Sequence, residues 1–114
     1  MNPSQYSLVF LVLLAVASSS CEAVITCEQA VGDVNPCVMY LIGPTGAKPP
    51  LECCDGVKAL VAATPTPEDS RVACVCLKVL AQSIPINPKN AQDLPRNCNV
   101  NLSFEITPGF DCNR

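Results

Sequence analysis

The arrangement of cysteines constrains this fold more than any other feature of the sequence. Nine of its 114 residues are cysteine, and eight of them follow the order C…C…CC…CxC…C…C. Such a density in a short chain is typical of a disulfide-bonded domain in an oxidising compartment, provided that the chain carries an export signal. The length allows a single domain. The eight positions are Cys27, Cys37, Cys53, Cys54, Cys74, Cys76, Cys98 and Cys112.

The N-terminal stretch predicts that export signal. Residues 8–17 are ten consecutive apolar residues. Ten is too few to span a bilayer, which needs about 20, but it fits the core of a signal peptide. Cys21 and Ala23 are a pair of small residues that suits cleavage after Ala23, and lipid attachment at Cys21 is the alternative. We therefore predict a signal peptide at residues 1–23 and a secreted domain at residues 24–114.

The residue types that are missing exclude several functions. The chain has no histidine, so neither a Ser-His-Asp or Cys-His relay nor a mixed Cys/His zinc site can form. Its net charge of −3, with no basic run, argues against nucleic-acid binding. The CC and CxC pairs would suit a thiolate metal site, but export and apolar neighbours favour disulfides. We predict no catalytic residues, no metal and no cofactor.

Capping signals and apolar periodicity predict four helices followed by an irregular tail. Thr26 and Gln29 form a capping box that begins the first helix, and Pro36 bends it. A Pro at the first helical position follows the N-cap residues Thr66 and Asn87, which begin the third and fourth helices. The helices are expected at residues 27–42, 51–63, 67–83 and 88–94, the last ending before Pro95.

Three of these helices have a predicted inward face, which in the first helix consists of the apolar residues at positions 27, 30, 31, 34, 38 and 41. Apolar residues that recur at helical spacing mark the side of a helix that faces the core. The inward residues are expected to be Cys54, Val57, Leu60 and Val61 in the second helix, and Val72, Cys76, Val79 and Leu80 in the third.

Several linked motifs accompany the cysteine order, and with them the chain resembles the plant non-specific lipid transfer proteins. Within that family it is most similar to the longer type 1 proteins. The cysteine order alone is shared with 2S albumins and with cereal amylase and trypsin inhibitors, so the intervening motifs carry the resemblance. They are Ile25-Thr26-Cys27, Pro36-Cys37-Val38-Met39-Tyr40, residues 49–57, residues 74–78 and residues 87–98.

The resemblance implies a disulfide pairing that spacing cannot supply, because eight cysteines allow 105 pairings. Type 1 proteins usually have a polar residue between the fifth and sixth cysteines, whereas this chain has Val75. Type 2 proteins favour an apolar residue there and exchange partners, which would give Cys27–Cys74 and Cys76–Cys112. Length and flanking motifs favour the type 1 pairs, Cys27–Cys76, Cys37–Cys53, Cys54–Cys98 and Cys74–Cys112.

Few large side chains are available to fill the core. The secreted part has three aromatic residues, Tyr40, Phe104 and Phe110. A cavity costs about 24 cal/mol per Å³, which disulfides worth roughly 2–4 kcal/mol each can offset. Composition alone leaves a solid core equally open, and the resemblance favours a hollow one. The predicted fold is an all-α, disulfide-stapled four-helix bundle with an irregular C-terminal tail around an internal apolar cavity.

The resemblance also implies a function. The protein would be a secreted monomer that holds fatty acids, phospholipids, lysolipids or acyl-CoA-like ligands in its cavity. It would touch membranes transiently and deliver lipid to membranes or to the cell wall and cuticle. An amylase or trypsin inhibitor and a storage protein are the alternatives on the same cysteine skeleton. Helical phase and resemblance together predict that Val31, Val34, Leu41, Val57, Leu60, Val61, Val79, Ile84, Phe104 and Ile106 line the cavity.

The polar mouth of this cavity departs from the family pattern. Type 1 proteins commonly place a basic residue after T/S-x-x-D, where this chain has Ser70, with Arg71 one residue on. The family's Pro-Tyr-x-Ile-Ser stretch corresponds to residues 103–107, so Phe104 replaces the tyrosine and has no hydroxyl to donate. We predict a site that holds acyl chains and discriminates poorly among head groups, with Arg71 as the substitute head-group contact.

Overall fold

The computed structural model describes residues 25–113, in which four helical stretches and a C-terminal tail occur without any strand. The predicted all-α fold is therefore confirmed. The predicted signal peptide, residues 1–23, lies outside the described residues. The first stretch consists of α1 (Cys27–Val34), a 3₁₀ turn (Asn35–Cys37) and α2 (Val38–Leu41); it is followed by α3 (Leu51–Ala62), α4 (Pro67–Ser83) and α5 (Pro88–Asn97).

Side-chain caps begin three of these helices at the predicted positions. The Thr26 hydroxyl accepts the Gln29 amide at 3.1 Å, which is one half of the predicted capping box. At α4 both halves form, because Thr66 accepts the Asp69 amide at 3.1 Å and the Asp69 carboxylate accepts the Thr66 amide at 3.4 Å. The Asn87 side chain accepts two amides of the first turn of α5. These contacts satisfy amides that have no partner within the helix.

The two helical prolines have different effects. Pro36 lies in the 3₁₀ turn and interrupts the first stretch as predicted. The predicted end of the fourth helix before Pro95 is wrong, because α5 continues to Asn97. A proline removes one amide from the helical ladder, whereas the Cys98 amide still donates to the Leu94 carbonyl at 3.0 Å and closes the last turn.

Four disulfides connect all of the helical stretches and the tail. They link α1 to α4, the 3₁₀ turn to α3, α3 to the end of α5, and α4 to the tail. These are the type 1 pairs that the resemblance implies, although Val75 has the apolar character of type 2. The bonds are Cys27–Cys76, Cys37–Cys53, Cys54–Cys98 and Cys74–Cys112.

Helices α1 and α3 approach each other so closely that their backbones touch at Gly56. A Cβ atom added to this residue would overlap the carbonyl oxygen of Asp33 in α1. Only glycine fits at such a contact. The α1–α3 contact forms one wall of the hydrophobic core.

A buried polar cluster attaches α2 and the loop after it to α5. Asn90 is 1% exposed, and its Nδ2 atom donates to the carbonyls of Tyr40, Gly43 and Pro44 at 2.9–3.1 Å. In return, the Tyr40 hydroxyl donates to the Asn90 carbonyl at 2.9 Å. Burial raises the pKa of this phenol above its usual value of 10.0. The cluster fixes the start of the loop between α2 and α3.

Candidate functional site

The inner surface of the bundle consists of aliphatic side chains from every helical stretch. Val34, Leu41, Val57 and Leu60, which were predicted to line a cavity, have no accessible surface. A side chain without accessible surface borders no space large enough for a water molecule. The interior is therefore closed around these four residues, and an acyl chain can enter only if they move apart.

The C-terminal tail packs against this interior. Phe104 and Ile106, also predicted as lining residues, are buried in the same core cluster. Phe104 also borders a shallow groove of about 310 Å³ between α5 and the tail. The remaining residues of this groove are Gln92, Pro95, Leu102, Ser103, Glu105 and Phe110.

The other predicted lining residues are less deeply placed. Val61 and Ile84 are half-buried at the ends of α3 and α4. Val31 is half-buried and Val79 is 58% exposed, and both lie in an outer groove of about 380 Å³. We call this the α1/α4 groove. It is lined by Cys27 and Val31 of α1 and by Val75, Cys76, Val79, Leu80 and Ser83 of α4.

The predicted inward face of α4 is wrong at Val79, which is 58% exposed, whereas Cys76 is buried and Val72 and Leu80 pack against the edge of the core. Cys74 and Cys76 are two residues apart, so their side chains point about 200° apart around a helix of 3.6 residues per turn. One bonds to the tail and the other to α1. The side of the helix between these bonds faces the core, while Val75 points away from it and is 50% exposed. The buried residues of α4 are Ala73, Cys74, Cys76, Leu77 and Ala81.

The two predicted polar contacts lie on different sides of α4. Ser70 is half-buried, and because it precedes Ala73 by three residues and Cys74 by four, it lies at the end of the buried face. Arg71 is exposed and precedes Val75 by four residues, which puts it on the outer face. Of the two, Ser70 is the residue next to the interior.

One carboxyl group is held where its charge is unfavourable. Asp33 lies at the contact of α1 with Gly56 of α3, and its Oδ2 atom is buried without a hydrogen-bond partner in the part of the chain that the structure describes. Burial disfavours the carboxylate and raises the pKa of Asp33 above its usual value of 3.8. Negative charge at this position therefore destabilises the contact of α1 with α3.

Replacing Asp33 by asparagine is expected to stabilise the protein at neutral pH. A raised folded-state pKa means that stability is lost as the pH rises from 3.8 through the folded value. The neutral amide avoids this loss, so urea unfolding should show a higher free energy for Asp33→Asn at pH 7. The advantage should vanish below pH 3.8, where the acid is neutral in both states. The exposed Asp55→Asn variant is the control, and a gain that persists at low pH would contradict the assignment.

The described residues contain neither a metal-binding cluster nor a membrane-spanning helix. Between residues 25 and 113 no three Cys, Asp or Glu side chains meet in a metal-binding arrangement, and the eight cysteines there are all in disulfides. No helix in that range has the length and apolar content needed to cross a membrane.

Comparison with known proteins identifies the family. A family profile described as "Protease inhibitor/seed storage/LTP family" matches residues 27–112. A protein of Lens culinaris named non-specific lipid-transfer protein 3 is 45% identical over 101 residues, which cover 88% of this chain and 84% of the relative. The chain belongs to the plant non-specific lipid-transfer proteins. The family predicted from the cysteine order and its motifs is confirmed.

Solved lipid-transfer proteins have the same fold. The crystal structure of a wheat non-specific transfer protein complexed with two molecules of phospholipid is 40% identical, with a TM-score of 0.69. It covers 79% of this chain and 99% of the wheat chain. A barley non-specific lipid transfer protein 1 in complex with a lysophosphatidylcholine is 36% identical, with a TM-score of 0.71, and covers 79% of this chain and 98% of its own.

Proposed function

We propose that this protein binds acyl lipids between its helices and carries them between membranes, without a catalytic step. The supporting observation is the composition of its interior. Every fully buried side chain among residues 25–113 is apolar except that of Asn90, whose Nδ2 atom donates to carbonyls of α2 and the loop after it. The related wheat and barley proteins, solved with phospholipid and lysophospholipid, have this fold.

The interior must expand to accept a chain, and the disulfides make this compatible with folding. Val34, Leu41, Val57 and Leu60 are closed in this structure. The four disulfides link the helices covalently. The helices therefore keep their arrangement along the chain when the side chains of the core move apart. Filling the new space with acyl methylenes replaces the packing contacts that were lost.

The energetics favour exchange between membranes. Transfer of an acyl chain from water into an apolar interior gains about 0.8 kcal/mol per methylene, and insertion into a bilayer gains a similar amount per methylene. The two environments therefore compete on nearly equal terms, and lipid can move between them without an energy source. An aliphatic interior without fixed polar partners accepts chains of different kinds.

The entrance to the lipid site is proposed at the N-terminal end of α4, where the buried face of this helix begins. Ser70 is half-buried there, and neither it nor Phe104 carries a charge that would select a head group. Phospholipids, lysolipids and fatty acids should therefore bind with similar affinity, as expected for a nonspecific carrier.

Export is part of the same proposal. We propose that residues 1–23 are removed as a signal peptide and that residues 24–114 act outside the cell, in the cell wall or cuticle. Four disulfides are typical of proteins that fold in an oxidising compartment. N-terminal sequencing of the protein secreted by a plant cell would reveal the cleavage site.

Fluorescent lipid binding tests the function. The oxidised protein should bind a fluorescent fatty acid or lysolipid saturably and accelerate the movement of labelled phospholipid from donor to acceptor vesicles. The matched control is the same chain after reduction and alkylation, which should lose both activities because the helices are no longer linked. Oxidised protein that binds no more lipid than this control would refute the proposal.

A further inference from the structure

We propose that Asn101 is a glycosylation site, which carries an N-linked oligosaccharide in the secreted protein. Asn101, Leu102 and Ser103 form the acceptor sequence Asn-x-Ser, with a residue other than proline at the middle position. The proposal goes beyond lipid binding. It rests on the export part of the proposed function, because this modification belongs to secreted proteins.

The sequence singles out Asn101 among the asparagines of the chain. Only Asn2 and Asn101 are followed by a serine or threonine two residues further on. Asn2 is excluded, because a proline at the middle position prevents glycosylation and Pro3 stands there. The sequence therefore contains one acceptor.

The end of α5 determines where the acceptor lies. Asn99 has a left-handed backbone conformation, with a φ of 54°. Its amide donates to the Arg96 carbonyl at 3.2 Å, and the Val100 amide donates to the Pro95 carbonyl at 2.9 Å. These two bonds form the Schellman motif that ends many helices. Asn101 is the next residue, so it lies in the loop directly after the helix.

Alternate side chains of this loop face the core and the solvent. Leu102 packs against the hydrophobic core and Phe104 belongs to it, whereas Asn101 and Ser103 are exposed. The apolar residues therefore hold the loop on the bundle. The amide that accepts the glycan and the hydroxyl that completes the acceptor sequence are both accessible from outside.

The exposed position of Asn101 makes the modification compatible with the fold. An N-linked oligosaccharide is bulky and hydrated, so it has to remain on the surface. A glycan on Asn101 would extend into solvent, and Leu102 and Phe104 would keep their contacts with the core. A glycan on Asn90, which is 1% exposed, would instead prevent packing of α5.

The donor would be an oligosaccharide that is linked to a lipid through pyrophosphate. The Nδ2 atom of Asn101 forms a bond to the anomeric carbon of the first sugar, and the bond from that carbon to the phosphate oxygen breaks. The lipid pyrophosphate leaves with the electron pair of the broken bond, and the amide loses one of its two protons. The transfer requires neither an oxidant nor a reductant.

The test compares the secreted protein with variants of the acceptor sequence. The full chain is expressed in plant cells, and the protein in the medium is analysed by electrophoresis and mass spectrometry. The parent should migrate more slowly than the bare polypeptide. Peptide N-glycosidase A should abolish this shift and leave aspartate in place of Asn101. Asn101→Gln and Ser103→Ala should both lack the glycan.

Two matched variants control for changes in the fold. Ser103→Thr keeps the hydroxyl and should retain the glycan, whereas Ser103→Ala changes the same exposed position and should lose it. Asn35→Gln changes another exposed asparagine, outside the acceptor sequence, and should remain glycosylated. All of these variants should be secreted, since none of the three positions is buried.

The outcomes distinguish this modification from the other proposals. A secreted parent with the mass of unmodified residues 24–114 would show that Asn101 carries no glycan, while export and lipid binding would stand. A glycan that persists in Ser103→Ala would lie elsewhere and would also overturn the proposal. A chain that stays inside the cell would contradict export and glycosylation together, whereas lipid binding by the oxidised protein is measured separately.

Discussion

Gly56→Ala is expected to lower the free energy of unfolding by about 3 kcal/mol, at the upper end of the usual cost of overpacking. An alanine in the middle of a helix is ordinarily favoured over glycine by up to about 1 kcal/mol. At Gly56 the added methyl group meets the backbone carbonyl of Asp33, which cannot rotate away as a side chain could. Steric overlap therefore outweighs helix propensity, and α1 must shift from α3.

Gly32→Ala is the matched control, because Gly32 lies in α1 and a Cβ atom there meets nothing within 4 Å. This variant should gain about 0.5–1 kcal/mol. Urea unfolding of both variants gives the two values. If both variants changed the free energy of unfolding equally and in the same direction, the close contact of α1 with α3 would not be the cause of the effect of Gly56→Ala.

The double variant Cys54→Ala/Cys98→Ala is expected to lose about 4 kcal/mol of stability, because its disulfide closes a long loop. The two cysteines are 44 residues apart and join α3 to the end of α5. Without the bond the unfolded chain gains conformational freedom. The end of α5, which also contains Pro95, loses its only covalent anchor to the bundle within the described residues.

Thermal and urea unfolding of the double variant and the parent measure this loss. The variant Cys54→Val/Cys98→Val also lacks the bond but fills more of the space of the two sulfur atoms, so under oxidising conditions it should lose a similar amount of stability. A valine variant as stable as the parent would mean that packing at positions 54 and 98, and not the covalent link, supplies the stability.

Local signals in the sequence predicted local structure well. The cap of α4 consists of Thr66, Pro67 and Asp69, which all lie within one turn. The start of α4 could therefore be predicted without knowledge of the rest of the fold. The same holds for Thr26 and Asn87. Pro95 is the exception, since a proline usually ends a helix, but here the disulfide of Cys98 holds the following turn in place.

The inward face of α4 was only partly predicted because its outer face is also apolar. Val75 and Val79 are exposed and four residues apart, and hydrophobic periodicity cannot distinguish a core face from an exposed apolar one. The CxC spacing carried the missing information, since two bonds that leave a helix on opposite sides determine which side faces inward. That inference needs the bonding partners of Cys74 and Cys76, which only the resemblance supplied.

The buried polar cluster could not be predicted for a different reason. Asn90 is one of several polar residues in α5, and its role depends on the carbonyls of Tyr40, Gly43 and Pro44, which are more than 40 residues away in the sequence. The closed state of the interior is likewise a property of packing. Composition indicated that large side chains were scarce, but not how tightly the smaller ones meet.

The two disulfides that leave α4 on opposite sides have a consequence for how this protein can diverge. Because the bonds of Cys74 and Cys76 set the rotation of the helix, substitutions at Arg71, Val75 and Val79 cannot turn α4 and expose its core face. The outer surface can therefore gain or lose charge and apolar area while the interior is preserved. Proteins with this cysteine order can acquire new surface properties and still carry the same lipids inside.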